Sequence, residues 1–196
     1  MKTFIVLLDS QTLLEPPLLN RTQQLGVMKH NNDFKYDLEV GQLNEIKLDK
    51  HELDLCEYIG KQRSNIARSN NVFDAKIGNQ NGIEADIQGF KAEYAFAKWK
   101  NIFPDFGLSP RSGSYDGITN KGARYDIKST KYKTGNLLST LKVNPDIDVY
   151  ILAYVNDNIV CFIGWAYKSE LIKNENIKDL GHGKGYFLSR NELNSF

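Results

Sequence analysis

Asp126 and Lys128 stand two residues apart in the segment Arg124-Tyr125-Asp126-Ile127-Lys128-Ser129-Thr130. Residues 123–130 read as a strand, and in a strand residues i and i+2 project from one face. The acid and the amine therefore point the same way, with Tyr125, Ile127 and Ser129 opposite. Such a pair can form half of a hydrolytic centre. The carboxylate binds a divalent cation, and the ammonium or its neutral form handles the attacking water and the developing negative charge. The same two residues also suit an exposed strand ion pair, so their meaning depends on what the fold sets beside them.

Two further carboxylates matter for that choice. Asp116, in Ser114-Tyr115-Asp116-Gly117-Ile118, stands at the start of a strand. Thr119-Asn120-Lys121-Gly122 is a hairpin signal that would lay this strand against Asp126. Close carboxylates repel unless a cation sits between them, and oxygen ligands favour Mg²⁺ or Mn²⁺. Glu93 lies in a helix expected over 86–101. At about 100° per residue it points roughly opposite to the Lys91 and Lys98 face, among Phe90, Phe96 and Ala97. A carboxylate on an apolar face should meet a cation, a donor or a metal. Glu84 and Asp86 are alternatives, but both lie near the helix start, where the dipole favours acids.

Glu93, then Asp116, then Asp126-Ile127-Lys128 resembles the PD-(D/E)XK nuclease superfamily, over roughly residues 86–167. That family carries a helical glutamate, a strand aspartate and an (Asp/Glu)-x-Lys on the next strand. The resemblance implies a restriction-endonuclease-like fold, αβββαβ in order, and a Mg²⁺- or Mn²⁺-dependent endonuclease acting on DNA. It further implies that Asp116 and Asp126 ligate metal together with the Ile127 carbonyl. Lys128 would position the nucleophilic water or stabilise the transition state, and Glu93 would bind or orient a second metal or its waters. The family's proline before the first aspartate, often missing among its members, is replaced here by Tyr115. Two other classes are consistent with the chain: a non-catalytic nucleic-acid-binding module on the same fold, and a structural or inhibitory protein of a phage or mobile element.

Arg111, Lys121, Arg124, Lys131, Lys133 and Lys142 crowd around the motif, with Tyr115, Tyr125 and Tyr132 interleaved. They read either as a phosphate-facing patch or as a solvated edge beside core tyrosines. Gly181-His182-Gly183-Lys184-Gly185 lacks the strand, spacing and Ser/Thr of a nucleotide-binding loop and reads as a turn.

The elements that must position these residues follow from pattern. Asp49 can cap a helix carrying Leu53, Cys56, Ile59, Ile66 and Ala67 at helical spacing. The second helix ends ahead of Pro104. A short helix or loop is expected over 134–141. Strands follow at 148–155 and 159–167, joined by Asn156-Asp157-Asn158, then one helical turn at 168–173 and a last strand near Tyr186-Phe187-Leu188. This order predicts one α/β domain over 46–196, a central mixed sheet flanked by helices. Residues 1–45, with a short strand at Phe4–Leu8 and Pro16-Pro17, read as an N-terminal extension and a candidate homodimer element.

Bulk properties bound these readings. The 196 residues are 41% hydrophobic and 25% charged, a globular composition, and the net charge of +1 places any nucleic-acid contact on a local patch. Cys56 and Cys161 read as free thiols of a reducing compartment. The three histidines are scattered and suggest no zinc site. With no secretory signal and no membrane-length apolar run, the expected location is cytoplasmic.

Overall fold

The structure is a computed structural model that describes residues 44–72, 81–109, 115–180 and 183–196. The strand expected at Phe4–Leu8 and the dimerisation role of the extension lie outside the described residues.

Helix α1, Lys50–Ser69, begins where the capping signal places it. The Asp49 carboxylate accepts the Glu52 backbone N–H at 2.9 Å, and the Glu52 side chain accepts the Asp49 N–H at 2.8 Å. Such a cap contributes about 1 kcal/mol. Helix α2, Gly82–Lys100, starts a turn earlier than residue 86. Asn81 caps it by accepting the Ile83 N–H at 3.1 Å. That cap is hidden in the sequence by the run of loop-forming Asn and Gly before it. Asn101, in the left-handed conformation at φ 52°, ends the helix ahead of Pro104.

Among the described residues the central sheet has five strands: β1 Glu45–Lys47, β2 Gly117–Ile118, β3 Arg124–Thr130, β5 Val149–Asn156 and β6 Ile159–Tyr167. Their spatial order is β1-β6-β5-β3-β2. β3 runs parallel to β5 and the other pairs are antiparallel, so the sheet is mixed as expected. β4, Leu137–Thr140, lies in a second sheet with β8, Lys184–Leu188, and β7, Ile177–Asp179. The expected helix or loop over 134–141 is therefore a strand. Leu137 and Ser139 are buried while Leu138 and Thr140 are half-exposed, a two-residue alternation too short to stand out in the sequence. The connection from β3 to β5 carries β4 and no helix, so the order among the described residues of 82–167 is one helix followed by five strands. A single turn, α3 Lys168–Leu171, follows β6.

The sheet separates two apolar layers. On one face Tyr125, Ile127, Val149, Ile151 and Ala153 pack with Cys56 and Ile59 of α1 and Phe90 and Phe96 of α2. On the other, Tyr150, Leu152 and Ala166 pack with Leu137 and Leu188 of the second sheet and Leu171 of α3. The two long helices thus share one face, and the opposite face is covered mainly by strands rather than by a helix. No described helix is long and apolar enough to cross a membrane. Cys56 and Cys161 are free thiols.

The helices cross closely at Gly60. A Cβ there would come within 2.6 Å of the Ile87 Cα, so the crossing requires glycine. Gly60→Ala should cost about 1–3 kcal/mol of stability through overpacking. Gly89→Ala, at a helix position with nothing within 4 Å of the added carbon, should be neutral or stabilise by about 0.5–1 kcal/mol. Chemical denaturation of both variants checks the pair.

Candidate active site

The hairpin from Gly117 to Tyr125 sets the site. Gly117 pairs with Tyr125 and Ile118 with Arg124. Thr119 closes the turn, its N–H donating to the Ala123 carbonyl, and Gly122 takes φ 88°. Gly117 leaves room for its cross-strand partner: a Cβ there would overlap the Tyr125 ring, which packs on Phe96 of α2 with centroids 4.8 Å apart.

β2 stops at Gly117, and Asp116 continues the ladder with its side chain. Its backbone N–H donates to the Tyr125 carbonyl at 2.8 Å, and its Oδ2 accepts the Ile127 N–H at 2.7 Å. A residue's N–H and C=O point to the same edge of a strand. The Ile127 carbonyl therefore faces the edge where Asp116 stands.

Asp126 and Lys128 share a face, as the strand period predicts. Lys128 Nζ lies 2.7 Å from Asp126 Oδ2 and 3.0 Å from Oδ1. Asp126 is buried, at 7% exposure, so this is not a solvent-washed ion pair. Burial alone would lower the Lys128 pKa, but Asp126 and then Asp116 outweigh it and raise the net value. That direction favours the ammonium over the neutral amine, the two forms left open by the sequence.

Glu93 meets a cation, as its place on an apolar face requires. Arg63 of α1 donates to it at 2.7 Å, and the two side chains are only 11% and 16% exposed. Arg63 also lies 4.4 Å over the Phe90 ring and donates to the carbonyls of Gly107 and Asp105. The arginine ties α1, α2 and the segment after α2 to one carboxylate. Asp86, one of the alternatives to Glu93, faces Arg68 at 3.8 Å on the surface, and Glu84 is exposed.

These charges act on one another at Asp116. Burial first, then the negative charges of Glu93 and Asp126, push its carboxyl well above the usual carboxylate range, against the opposing pull of Lys128 and the Ile127 N–H. Tyr125 is raised as well, by burial and then by Asp116 and Glu93. Glu93, Asp116, Asp126 and Lys128 thus form one electrostatic unit, assembled from a helix and two strands.

Arg63, Tyr150 and Ser139 belong beside this unit although no motif marks them. Tyr150 pairs in register with Asp126, is 1% exposed and hydrogen-bonds Ser139; burial and then Asp126 raise its pKa. Arg63 had a legible signal. It follows Cys56, Ile59 and Gly60 at helical spacing, a cation on the apolar face of α1 matching the acid on that of α2.

The basic residues separate. Arg124 is engaged within the fold, 3.2 Å from Asp148 and 3.0 Å from Asp146. Lys121, Lys131, Lys133 and Lys142 are exposed, and Arg111 lies outside the described residues. Of the tyrosines, Tyr125 is core, Tyr115 half-buried and Tyr132 61% exposed.

Among the described residues no three His, Cys, Asp or Glu side chains form a ready cage for a metal ion. Mg²⁺ does not need one; it binds through one or two carboxylates and keeps several waters. Asp116, Asp126 and the Ile127 carbonyl supply the hard oxygen donors it prefers. Comparison with protein-family models, with curated proteins and with solved structures gives no match.

Because the Asp116 pKa is raised, the folded chain holds a proton that the unfolded chain has lost, between the ordinary carboxylate range and the raised value. Stability should therefore fall as pH rises through that window. Asp116→Asn keeps an acceptor for the Ile127 N–H and removes the charge. Without divalent ions it should flatten this pH dependence and raise the thermal midpoint, by about 2–4 °C per kcal/mol of repulsion relieved. Thermal melts of both proteins across pH test this.

Proposed function

We propose that this protein is a Mg²⁺-dependent nuclease that hydrolyses phosphodiester bonds in DNA, as an endonuclease. The observation that carries the reading is geometric: Asp116 accepts the Ile127 N–H at 2.7 Å, next to Asp126, whose carboxylate lies 2.7 Å from the Lys128 Nζ, and this crowding is what pushes the Asp116 carboxyl upward. A fold selected for stability alone gains nothing from that crowding. A divalent cation gives it a purpose, because Asp116, Asp126 and the Ile127 carbonyl would then hold the ion and their mutual repulsion would become affinity. The ordered resemblance of Glu93, Asp116 and Asp126-Ile127-Lys128 to the PD-(D/E)XK superfamily supports the same reading and is the source of the choice of DNA, while the oxygen ligands suit Mg²⁺ or Mn²⁺. The restriction-endonuclease-like fold is part of this proposal. A helix, a hairpin and a parallel strand carrying the motif in the right order support it, and the absence of a helix between β3 and β5 would make this chain a variant of the αβββαβ order.

When bound, the ion supplies Lewis-acid polarisation of the phosphodiester and a more acidic water. The chain's residues do the rest. Asp126 fixes the Lys128 ammonium, which orients the attacking water and stabilises the charge that develops on phosphoryl oxygen by donating hydrogen bonds, while the water's proton leaves to solvent. Arg63 holds Glu93 at the helix-side boundary of the site, where its carboxylate would orient metal-bound waters.

Plasmid DNA incubated with the protein should be nicked or cut with Mg²⁺ and remain intact with EDTA. Lys128→Ala should lower the rate by about 10²–10³-fold with the fold retained, and Asp126→Ala should abolish cleavage. Cleavage that survives both EDTA and Asp126→Ala would sink the proposal.

A further inference from the structure

The turn that follows the Asp126–Lys128 strand presents an exposed aromatic ring between two lysines. Tyr132 is 61% exposed, and Lys131 and Lys133 on either side of it are exposed too. Lys131 Nζ lies 5.6 Å from the Tyr132 ring centroid. Single exposed aromatics are ordinary, and Tyr58 and Phe103 are exposed as well; Tyr132 differs in lying between two lysines directly after the Asp126–Lys128 strand. This turn is not loose. The Tyr132 N–H donates to Thr130 Oγ1 at 3.2 Å, and its carbonyl accepts the Gly135 N–H at 2.9 Å. The Lys133 carbonyl accepts the Arg190 guanidinium, and the Arg190 backbone N–H is held in turn by Asn136 at 3.0 Å. Gly135 is specific to this shape, since a Cβ there would crowd the Thr130 side chain and the Tyr132 carbonyl. These hydrogen bonds fix the backbone of the turn that carries the exposed ring.

We propose that Tyr132, with Lys131 and Lys133, is a stacking platform for an unpaired base of a nucleic-acid strand passing the active site, so that the preferred substrate carries single-stranded nucleotides. The inference rests on the nuclease reading for the site's purpose, and on the turn itself for the ligand's chemistry. A ring face stacks on a base of any sequence, and flanking ammonium groups pair with the phosphates on either side of it. Paired bases in a duplex offer no free face to such a ring, whereas a single strand, a flap or a frayed end does. Placement supports this. Tyr132 follows Lys128 by four residues, no more than about 13 Å of extended chain, and the strand between them is rigidly paired to β5 as far as Thr130. A base stacked on Tyr132 would hold the neighbouring backbone within reach of Lys128 and Asp126.

Fluorescence anisotropy in EDTA, where cleavage plays no part, separates this from the nuclease reading. The probes are a short single-stranded DNA, an RNA of the same sequence and the DNA duplex. Tyr132→Ala should weaken single-strand binding by about 5- to 100-fold and leave duplex binding unchanged, while Tyr132→Phe should bind within about twofold of the wild type. Lys131→Ala with Lys133→Ala should reduce the slope of log affinity against log salt by about 0.7 for each phosphate that is no longer neutralised. Weaker binding of both DNA and RNA supports a general platform, and weaker binding of only one names the strand it serves. Single-strand binding unchanged in Tyr132→Ala, equal weakening for strand and duplex, or no single-strand binding by the wild type would each overturn the platform. The Mg²⁺-dependent cleavage test would stand or fall separately.

Discussion

The hydrogen bond from the Ile127 N–H to the Asp116 carboxylate is the constraint on which the site is built. At the sheet edge β2 ends, and a side chain rather than a carbonyl takes the next ladder position. That substitution places a negative charge beside Asp126 and Lys128 instead of letting it turn out to solvent. It also sets the pull of that backbone donor against two neighbouring negative charges. Everything that sustains the arrangement lies close by: the Thr119–Gly122 turn that sets the register, Gly117 that leaves room for the Tyr125 ring, and Phe96 that holds that ring from the helix side.

The two faces of β3 divide the work. Tyr125 and Ile127 anchor the strand into the layer shared with α1 and α2, while Asp126 and Lys128 point to the other side, next to Tyr150 and Leu152 in register. Glu93 reaches the site from the helix layer and is held there by Arg63. Breaking such an ion pair by removing one partner leaves a buried charge uncompensated, so Arg63 positions Glu93 at some risk to stability if it is lost. The close crossing at Gly60 brings α1 near enough to α2 for that arginine to arrive.

Much of this was legible in the sequence where local rules suffice. The Asp49 cap, the Asn101–Pro104 stop, the Asn120-Lys121 hairpin and the β5–β6 pair follow from turn chemistry and apolar runs, and i, i+2 geometry put Asp126 and Lys128 together. What stayed hidden depends on partners distant along the chain. β4 is a strand because β8, near the other end of the domain's sequence, pairs with it, and β1 is three residues recognisable only against β6. Arg124 is a phosphate candidate in the sequence and an ion-pair partner of Asp148 in the fold, because parallel pairing brings the starts of β3 and β5 together. Arg63 was within reach of the same argument that singled out Glu93, applied to the preceding helix.

The central claim is that the crowding of carboxylates around Asp116 exists to receive a divalent cation. Carbon-13 NMR titration of the Asp116 side chain, with and without Mg²⁺, tests it at the atom concerned. The account predicts a carboxyl pKa well above the ordinary aspartate range in the metal-free protein, falling sharply when Mg²⁺ is added. An aspartate that titrates normally, or one whose raised pKa is indifferent to Mg²⁺, would contradict it.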